Sequence, residues 1–238
     1  MSMDQAHDLM KQREYARALP LLLAEYRKGN FNYNSVYLIG QAYRFLDEYE
    51  NAETFLVKSI SLKNDQPAVY LALGIVYQLT GRYSLALETF NRAIEIDENY
   101  DLGYNSIAYT YEKMGQLEDA ELFYRKAIRA LFIILIKKAE NIKVDDEMFH
   151  EKPRGELWMD LLVDIMRDRF FKTVIIDGEK ILQASTELGI WLPKFFSVLK
   201  DEKGYVIYLR NRAQVLTKLG RIKEAESLKL EAEAIDFI

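Results

Sequence analysis

The sequence of 238 residues contains no cysteine, which excludes disulfide bonds, thiolate zinc sites and cysteine nucleophiles. Proline and glycine are scarce, with 4 and 11 residues, whereas an all-β fold would need many more turn residues. His7 and His150 are the only histidines, so no cluster with the helical histidine spacing of a metal site can form. The composition therefore predicts a helical protein that binds no metal and needs no cofactor.

Long apolar runs and blocks of like charge are also missing. The longest apolar run, residues 130–136, is far shorter than the roughly 20 residues that span a bilayer. With a net charge of -5 and no basic block, the chain lacks the electrostatic footprint of nonspecific nucleic-acid binding. The polar first residues do not resemble a secretory signal. We expect a soluble, cytoplasmic protein that binds neither nucleic acid nor membranes.

Motifs that support catalysis are absent as well. The sequence has no glycine-rich phosphate loop and no nucleophile elbow. The acidic run Asp145-Asp146-Glu147 is typical of a solvated loop, and Pro153 would prevent a helix from continuing through that region. We therefore predict that the protein is not an enzyme and has no catalytic residues.

A repeat of constant length is the main feature that the sequence does have. Residues 33–66, 67–100 and 101–134 align without a gap, and a fixed period of this length indicates stacked structural units. Two antiparallel helices approach closely only where small residues face each other. Small residues recur at positions eight, twenty and twenty-seven: Gly40, Gly74 and Ala108; Ala52, Ala86 and Ala120; Ser59, Ala93 and Ala127.

Between the two helices of each unit, position fifteen is Asp47, Gly81 or Gly115. Glycine at this place permits the left-handed residue that commonly ends a helix. Each unit is therefore predicted to be a helix, a turn and a second helix.

These residues resemble the tetratricopeptide repeat (TPR) family, and residues 70–97 match its pattern almost throughout. The chain departs from the pattern at Asp47, where the family has glycine, and at Asn64, Glu98 and Phe132, where it usually has proline. The resemblance implies an all-α fold, namely a right-handed superhelical solenoid of TPR-like helix-turn-helix repeats.

The register of the repeat also predicts the organisation of the whole chain. Residues 1–134 are predicted to be TPR repeats, of which the first is incomplete and the next three are residues 33–66, 67–100 and 101–134. Residues 135–154 are predicted to extend the preceding helix and then form a loop. Residues 155–238 are predicted to be degenerate TPR-like helices that end in a C-terminal unit, although Arg169 and Gly178 break the consensus there.

An apolar stretch at residues 131–136 is hydrophobic on all sides of its helix, so it must be covered on several sides. The C-terminal helices of the same chain could cover it, as could a second copy or a partner. The protein is accordingly expected to be a monomer or a weak homodimer.

The resemblance implies that first helices line a concave groove that binds a protein or peptide partner. Tyr37 and Tyr109 would be aromatic anchors, and Gln41 and Asn105 would orient a bound backbone. The predicted groove residues are Asn34, Tyr37, Gln41, Arg44, Leu71, Ile75, Gln78, Asn105, Tyr109 and Lys113. They occupy positions two, five, nine, twelve and thirteen of the units, which also include Phe45, Leu79, Leu102 and Glu112. The family's clamp for heat-shock chaperones is absent, because Tyr37 and Leu102 stand where it needs lysine. The sequence thus favours a binding scaffold; the alternative is a self-associating structural repeat protein whose own C-terminal helices fill the groove.

Overall fold

The computed structural model describes residues 2–140, 171–176, 179–184 and 203–236. Within them lie ten helices and two strands: α1 (Ser2–Lys11), α2 (Tyr15–Arg27), α3 (Tyr33–Phe45), α4 (Tyr49–Leu62), α5 (Pro67–Leu79), α6 (Tyr83–Ile96), α7 (Asp101–Lys113), α8 (Leu117–Glu140), β1 (Phe171–Ile176), β2 (Glu179–Ala184), α9 (Lys203–Lys218) and α10 (Ile222–Asp236). The predictions about residues 145–154, His150 and Pro153 lie outside the described residues.

The helices pair in sequence order, as the repeat predicts. Helix α1 packs on α2, α3 on α4, α5 on α6, and α9 on α10. The small residues at positions twenty and twenty-seven are completely buried in all three units: Ala52, Ala86, Ala120, Ser59, Ala93 and Ala127. The all-α TPR-like fold class is therefore confirmed, with the exception of one short hairpin described below.

The closest approach within a repeat occurs at the glycine of position eight. A Cβ atom built on Gly74 would lie 2.4 Å from Cε1 of Phe90, and one built on Gly40 would lie 2.7 Å from Cγ of Leu56. Phe90 and Leu56 are completely buried, so neither side chain has free space into which it could move. Glycine is thus required here by packing.

Replacing Gly74 by alanine is expected to reduce the free energy of unfolding by about 1–3 kcal/mol, because the added methyl group overpacks the contact with Phe90. Urea denaturation followed by circular dichroism measures this loss. The combined variant Gly74→Ala with Phe90→Leu should recover part of it, since the smaller side chain makes room. If Gly74→Ala were as stable as the natural protein, the close contact would not exist in solution.

The turns between paired helices use left-handed residues. Gly81 and Gly115 have φ values of 74° and 77°, and Asp47 adopts 60° at the equivalent place. The Tyr49 hydroxyl donates a hydrogen bond to the Asp47 carboxylate at 2.6 Å. At Gly81 the following amide, that of Arg82, donates back to the Tyr77 carbonyl at 2.8 Å, which closes a Schellman motif. The predicted cap is confirmed, and aspartate takes the place of glycine without changing the backbone.

Residues 171–176 and 179–184 are the exception to the helical fold. Strands β1 and β2 pair antiparallel, with Phe171 opposite Ala184 and Ile176 opposite Glu179. The prediction of degenerate TPR-like helices for residues 155–238 is therefore wrong over this stretch. The sequence carries a competing signal: residues 173–176 are a run of β-branched side chains, and Asp177-Gly178 is a strong hairpin-turn dipeptide. The helical spacing of the apolar residues does not by itself distinguish a helix from strands in this stretch.

The chain divides into two compact units, Met1–Met114 and Gly115–Ile238. In the second unit, α9 packs on the long helix α8. Phe132 is completely buried there, with its ring centroid 5.2 Å from that of Tyr205 on α9. The apolar stretch at residues 131–136 is thus covered within the chain by a C-terminal helix, the first of the predicted possibilities. Helix α8 also continues to Glu140, beyond the end of a repeat, as predicted.

Candidate binding surface on the first helices

The first helices of successive repeats are neighbours in the first unit. Helix α3 contacts α5, and α5 contacts α7. All ten predicted groove residues lie on these three helices, and each keeps part of its surface exposed to solvent. We call the groove-facing residues of α3, α5 and α7 the first-helix surface. The constant period of the repeat explains this arrangement, because equal positions of stacked units face the same way.

On α3, three predicted residues form a chain of hydrogen bonds. The Gln41 amide nitrogen donates to the Tyr37 hydroxyl at 2.5 Å, and Arg44 Nε donates to the Gln41 amide oxygen at 2.8 Å. The Gln41 side chain therefore keeps one N–H group and one oxygen lone pair for a ligand. This geometry holds the amide in one orientation before any ligand binds.

Arg44 also contacts an aromatic stack. Its guanidinium carbon lies 3.9 Å from the ring centroid of Phe45, and Phe45 stacks on Tyr15 with centroids 4.2 Å apart and an interplanar angle of 5°. Burial lowers the pKa of Arg44, while the nearby hydroxyls of Tyr37 and Tyr15 act in the opposite direction. Since a guanidinium stays protonated in proteins, Arg44 is a fixed positive charge at this place.

On α5, the predicted apolar residues are open to solvent, whereas the predicted polar residue is hydrogen-bonded to the next first helix. Leu71 and Ile75 are partly exposed, and Leu79 one turn further on is 52% exposed. Gln78 instead connects two repeats: its amide nitrogen donates to the Thr110 hydroxyl at 2.6 Å and to the Ser106 carbonyl at 3.3 Å. Gln78 therefore braces α5 against α7, and its amide nitrogen is engaged in that contact.

On α7, Tyr109 is the exposed aromatic residue, with 40% of its surface accessible. The Lys113 ammonium lies 5.0 Å from the Tyr109 ring centroid, and a hydrogen bond with the Tyr109 hydroxyl raises the pKa of Lys113. Asn105 lies one turn before Tyr109 and is partly buried. This helix thus presents an aromatic ring, an amide and a cation on the first-helix surface.

Tyr37 contacts more than its own helix. Its ring packs against the buried cluster that includes Val69, Leu73 and Val76 on α5. Burial is the largest cause that raises the pKa of Tyr100, and the nearby hydroxyl of Tyr37 adds to it. Tyr100 directly precedes α7, so Tyr37 packs on α5 and also lies near the start of α7.

The register of the repeat also extends to residues that the sequence prediction did not include. His7, Met10 and Lys11 on α1 stand one repeat period before Gln41, Arg44 and Phe45. In the structure a cavity of about 430 Å³ opens between α1, the start of α2, and α3. Its lining residues are His7, Met10, Lys11, Tyr15, Asn34, Tyr37, Leu38, Gln41 and Phe45. Three of these lining residues, His7, Met10 and Lys11, could have been identified from the sequence by going back one repeat period from Gln41, Arg44 and Phe45.

Two features are absent from the described parts of the chain. No group of three histidine, aspartate or glutamate side chains there could hold a metal ion. Among the same residues, no helix combines the length and the apolar character needed to cross a membrane.

Family models for the tetratricopeptide repeat match residues 32–99 and 89–122. These matches cover α3 to α7 and the start of α8, with the left-handed turns at Asp47, Gly81 and Gly115. Residues 32–122 of this chain therefore match the tetratricopeptide repeat family.

The chain is also similar in sequence to longer proteins. The chain is 25% identical over 230 residues to a TPR repeat-containing protein of Methanocaldococcus jannaschii, covering 91% of this chain and 39% of that protein. It is 31% identical over 119 residues to anaphase-promoting complex subunit 3 of Schizosaccharomyces pombe, covering 50% of this chain and 18% of that subunit. The chain thus spans less than half the length of these relatives.

Solved structures with a similar fold include two of MamA. One covers 100% of this chain and 97% of its own length with a TM-score of 0.59 at 13% identity. The other, MamA from Desulfovibrio magneticus, covers 98% and 92% with a TM-score of 0.58 at 13% identity. At this identity the similarity is one of fold.

Proposed function

We propose that this chain is a protein-binding scaffold that holds a peptide segment of a partner on the first-helix surface. One observation carries the proposal: large apolar side chains are left exposed at groove positions of the three repeats that begin with α3, α5 and α7. Phe45, Leu79, Leu102 and Tyr109 are 47%, 52%, 45% and 40% exposed. Apolar groups that recur on one face of stacked repeats are typical of a surface that is covered when a partner binds.

The chemistry of the surface suits an extended or helical peptide. Leu71, Ile75 and Tyr109 would bury apolar side chains of the ligand, which supplies affinity. Asn105 and the remaining donor and acceptor of Gln41 would bind the ligand's backbone groups, which lose water on binding. Asn34 and Lys113 would contact the ligand at the edges of the surface. Gln78 acts in this proposal through the helices that it braces.

Nothing in this mode of action requires bond-breaking chemistry, a metal or a cofactor. The assignment as a scaffold instead of an enzyme follows the repeat class of the chain and the kind of surface that it presents. A cytoplasmic location, a monomeric or weakly dimeric state and the absence of nucleic-acid binding stay predictions from the sequence.

Replacing Tyr109 and Leu71 together by alanine is expected to weaken partner binding by about 2 kcal/mol or more, which is roughly a 30-fold loss of affinity. The reason is the loss of two apolar anchors from the middle of the surface. The partner would first be captured from a cell lysate with the full chain and identified, and its affinity for each variant measured by isothermal titration calorimetry.

A matched control replaces Leu62 and Leu85 by alanine. Both leucines are exposed, but they lie on the second helices α4 and α6. This variant should bind the partner normally, and both variants should keep the circular dichroism signal of the natural chain. If the Tyr109 and Leu71 variant also bound normally, the first-helix surface would not be the site. If the natural chain self-associated, and the Tyr109 and Leu71 variant abolished this self-association while the control did not, the alternative of a self-associating structural repeat protein would be favoured.

A further inference from the structure

The cavity between α1 and α3 has walls that are apolar and partly preformed. Met10 and Leu38 contribute aliphatic surface, and the parallel rings of Tyr15 and Phe45 form a flat aromatic wall. Phe45 is nearly half exposed, so one side of this wall faces solvent. A volume of about 430 Å³ lies within the range of ligand pockets in proteins. Such a space has room for a bulky apolar side chain together with the peptide backbone that carries it.

The rim of the cavity is polar and held in place. Gln41 is fixed between Tyr37 and Arg44 by hydrogen bonds of 2.5 and 2.8 Å. A rim that is ordered before binding reduces the entropy that association would otherwise cost. It also gives a peptide backbone a donor and an acceptor next to the apolar walls.

The ionisable side chains around the cavity point to the charge of its ligand. Lys11 and His7 line the cavity, and no carboxylate does. Asp8 lies near Lys11, with Oδ1 to Nζ at 3.9 Å, but both side chains are well exposed, so this pair is weak. Positive charge therefore prevails at the mouth of the cavity.

The same bias continues along the groove positions of the four repeats. Their charged side chains are Lys11, Arg44 and Lys113 against Glu112, which is three positive charges minus one negative charge, or a net charge of +2. The chain as a whole has a net charge of -5. An acidic ligand would be attracted to this face and repelled by the remaining surface, which favours binding at this place.

From these observations we propose that the cavity between α1 and α3 takes a leucine or phenylalanine side chain of an acidic peptide segment of the partner. The aspartates and glutamates that flank this side chain face Lys11 and Arg44. The inference rests on the proposed function and adds to it the anchoring site and the chemical class of the ligand. It also enlarges the binding surface by one helix, from α3 onto α1.

The test uses a random dodecapeptide library displayed on phage and selected against the purified full chain. Enriched peptides are synthesised with a fluorescent label, and their affinities are measured by fluorescence anisotropy at low and high salt. The expected peptides carry a net negative charge and at least one leucine or phenylalanine. Replacing that residue by alanine in the peptide should weaken binding roughly 10-fold or more, as expected for a buried anchor.

Two variants of the protein probe the cavity itself. Phe45→Ala removes half of the aromatic wall and should weaken binding of the selected peptides roughly 10-fold. Lys11→Glu should weaken it several-fold and reduce its dependence on salt, because a charge at the rim acts mainly through electrostatic attraction. Lys11 is strongly exposed, so its replacement does not endanger folding. Circular dichroism checks that Phe45→Ala keeps its helices.

Matched controls make the same chemical changes away from the cavity. Leu62→Ala removes an exposed apolar side chain from α4, and Lys223→Glu reverses an exposed charge on α10. Both controls should bind the selected peptides with unchanged affinity.

The outcomes separate this inference from the proposed function. Selected peptides that were basic or neutral would contradict the acidic-peptide proposal but leave the scaffold function standing. The same conclusion would follow if Phe45→Ala bound the peptides as well as Leu62→Ala does, while the Tyr109 and Leu71 variant lost binding. In either case the cavity would not be the anchor site for an acidic peptide. If no peptide were enriched, or if none of these variants affected binding, both proposals would fail. If Phe45→Ala instead abolished self-association of the chain in sedimentation, the occupant would be a second copy, which also overturns the acidic-peptide proposal.

Discussion

Replacing Phe132 by aspartate is expected to unfold the second unit of the protein. Phe132 is completely buried and packs on Tyr205 of α9. Truncation of a buried phenylalanine typically costs about 3–5 kcal/mol, and burial of an unpaired carboxylate adds several more. The sum is comparable to the whole stability of an ordinary domain, which is about 5–15 kcal/mol. Circular dichroism and limited proteolysis would detect the loss of α8, α9 and α10.

The matched control for this experiment is Leu122→Asp on the same helix. Leu122 is exposed, so its replacement should change the free energy of unfolding by no more than about 0.5 kcal/mol. The experiment also tests the alternative that residues 131–136 form a dimer interface. In that case Phe132→Asp would give a folded species with a smaller sedimentation coefficient. Such a result would contradict the burial of Phe132 within the chain.

Replacing Arg212 by methionine is expected to destabilise the second unit by about 3–5 kcal/mol. Arg212 on α9 donates two hydrogen bonds to one carboxylate oxygen of Glu121 on α8, at 3.0 and 2.8 Å from Nε and Nη2. Both side chains are about 90% buried. Arg221 Nη1 also lies 4.0 Å from that carboxylate, but the Arg221 guanidinium is exposed and already bonded to Glu224. The carboxylate of Glu121 would then be buried without adequate compensation.

Denaturant unfolding of two further variants would distinguish this cause from loss of packing. The double variant Glu121→Leu with Arg212→Met should recover most of the lost stability, because it removes both charges together. Arg92→Met breaks an exposed pair with Glu95 on α6 and should cost less than about 1 kcal/mol. If the double variant were no more stable than Arg212→Met alone, the buried charge would not be the reason for the loss.

Much of the first unit could be predicted because its structure depends on short, repeated patterns. Ala52, Ala86 and their equivalents are buried where the period of the repeat places them. The turn at Asp47 keeps its left-handed backbone although the residue is not glycine. In such repeats each unit contacts its sequence neighbours, so local spacing determines most of the packing.

Other features depended on competition between signals or on contacts between distant residues. The sequence of residues 171–184 has helical spacing of apolar side chains, but its β-branched run and Asp177-Gly178 favour antiparallel strands, and β1 and β2 pair in this way. Gln78 was expected to face a ligand, whereas its amide nitrogen bonds to Ser106 and Thr110 on α7. No pattern within α5 reveals such a bond, because both of its acceptors belong to the next repeat along the chain.

The sequence by itself determined the repeat class, the helix pairs, the positions of close approach and the face of each first helix that meets solvent. These properties follow from the period and from the sizes of side chains at fixed positions. Only the tertiary structure decided which polar groups on that face are engaged by other residues, that α9 covers Phe132, and that Glu121 pairs with Arg212 from 91 residues away. The tertiary structure also showed a cavity beside α1, because the volume left between three helix segments depends on how they pack and not on any one of them.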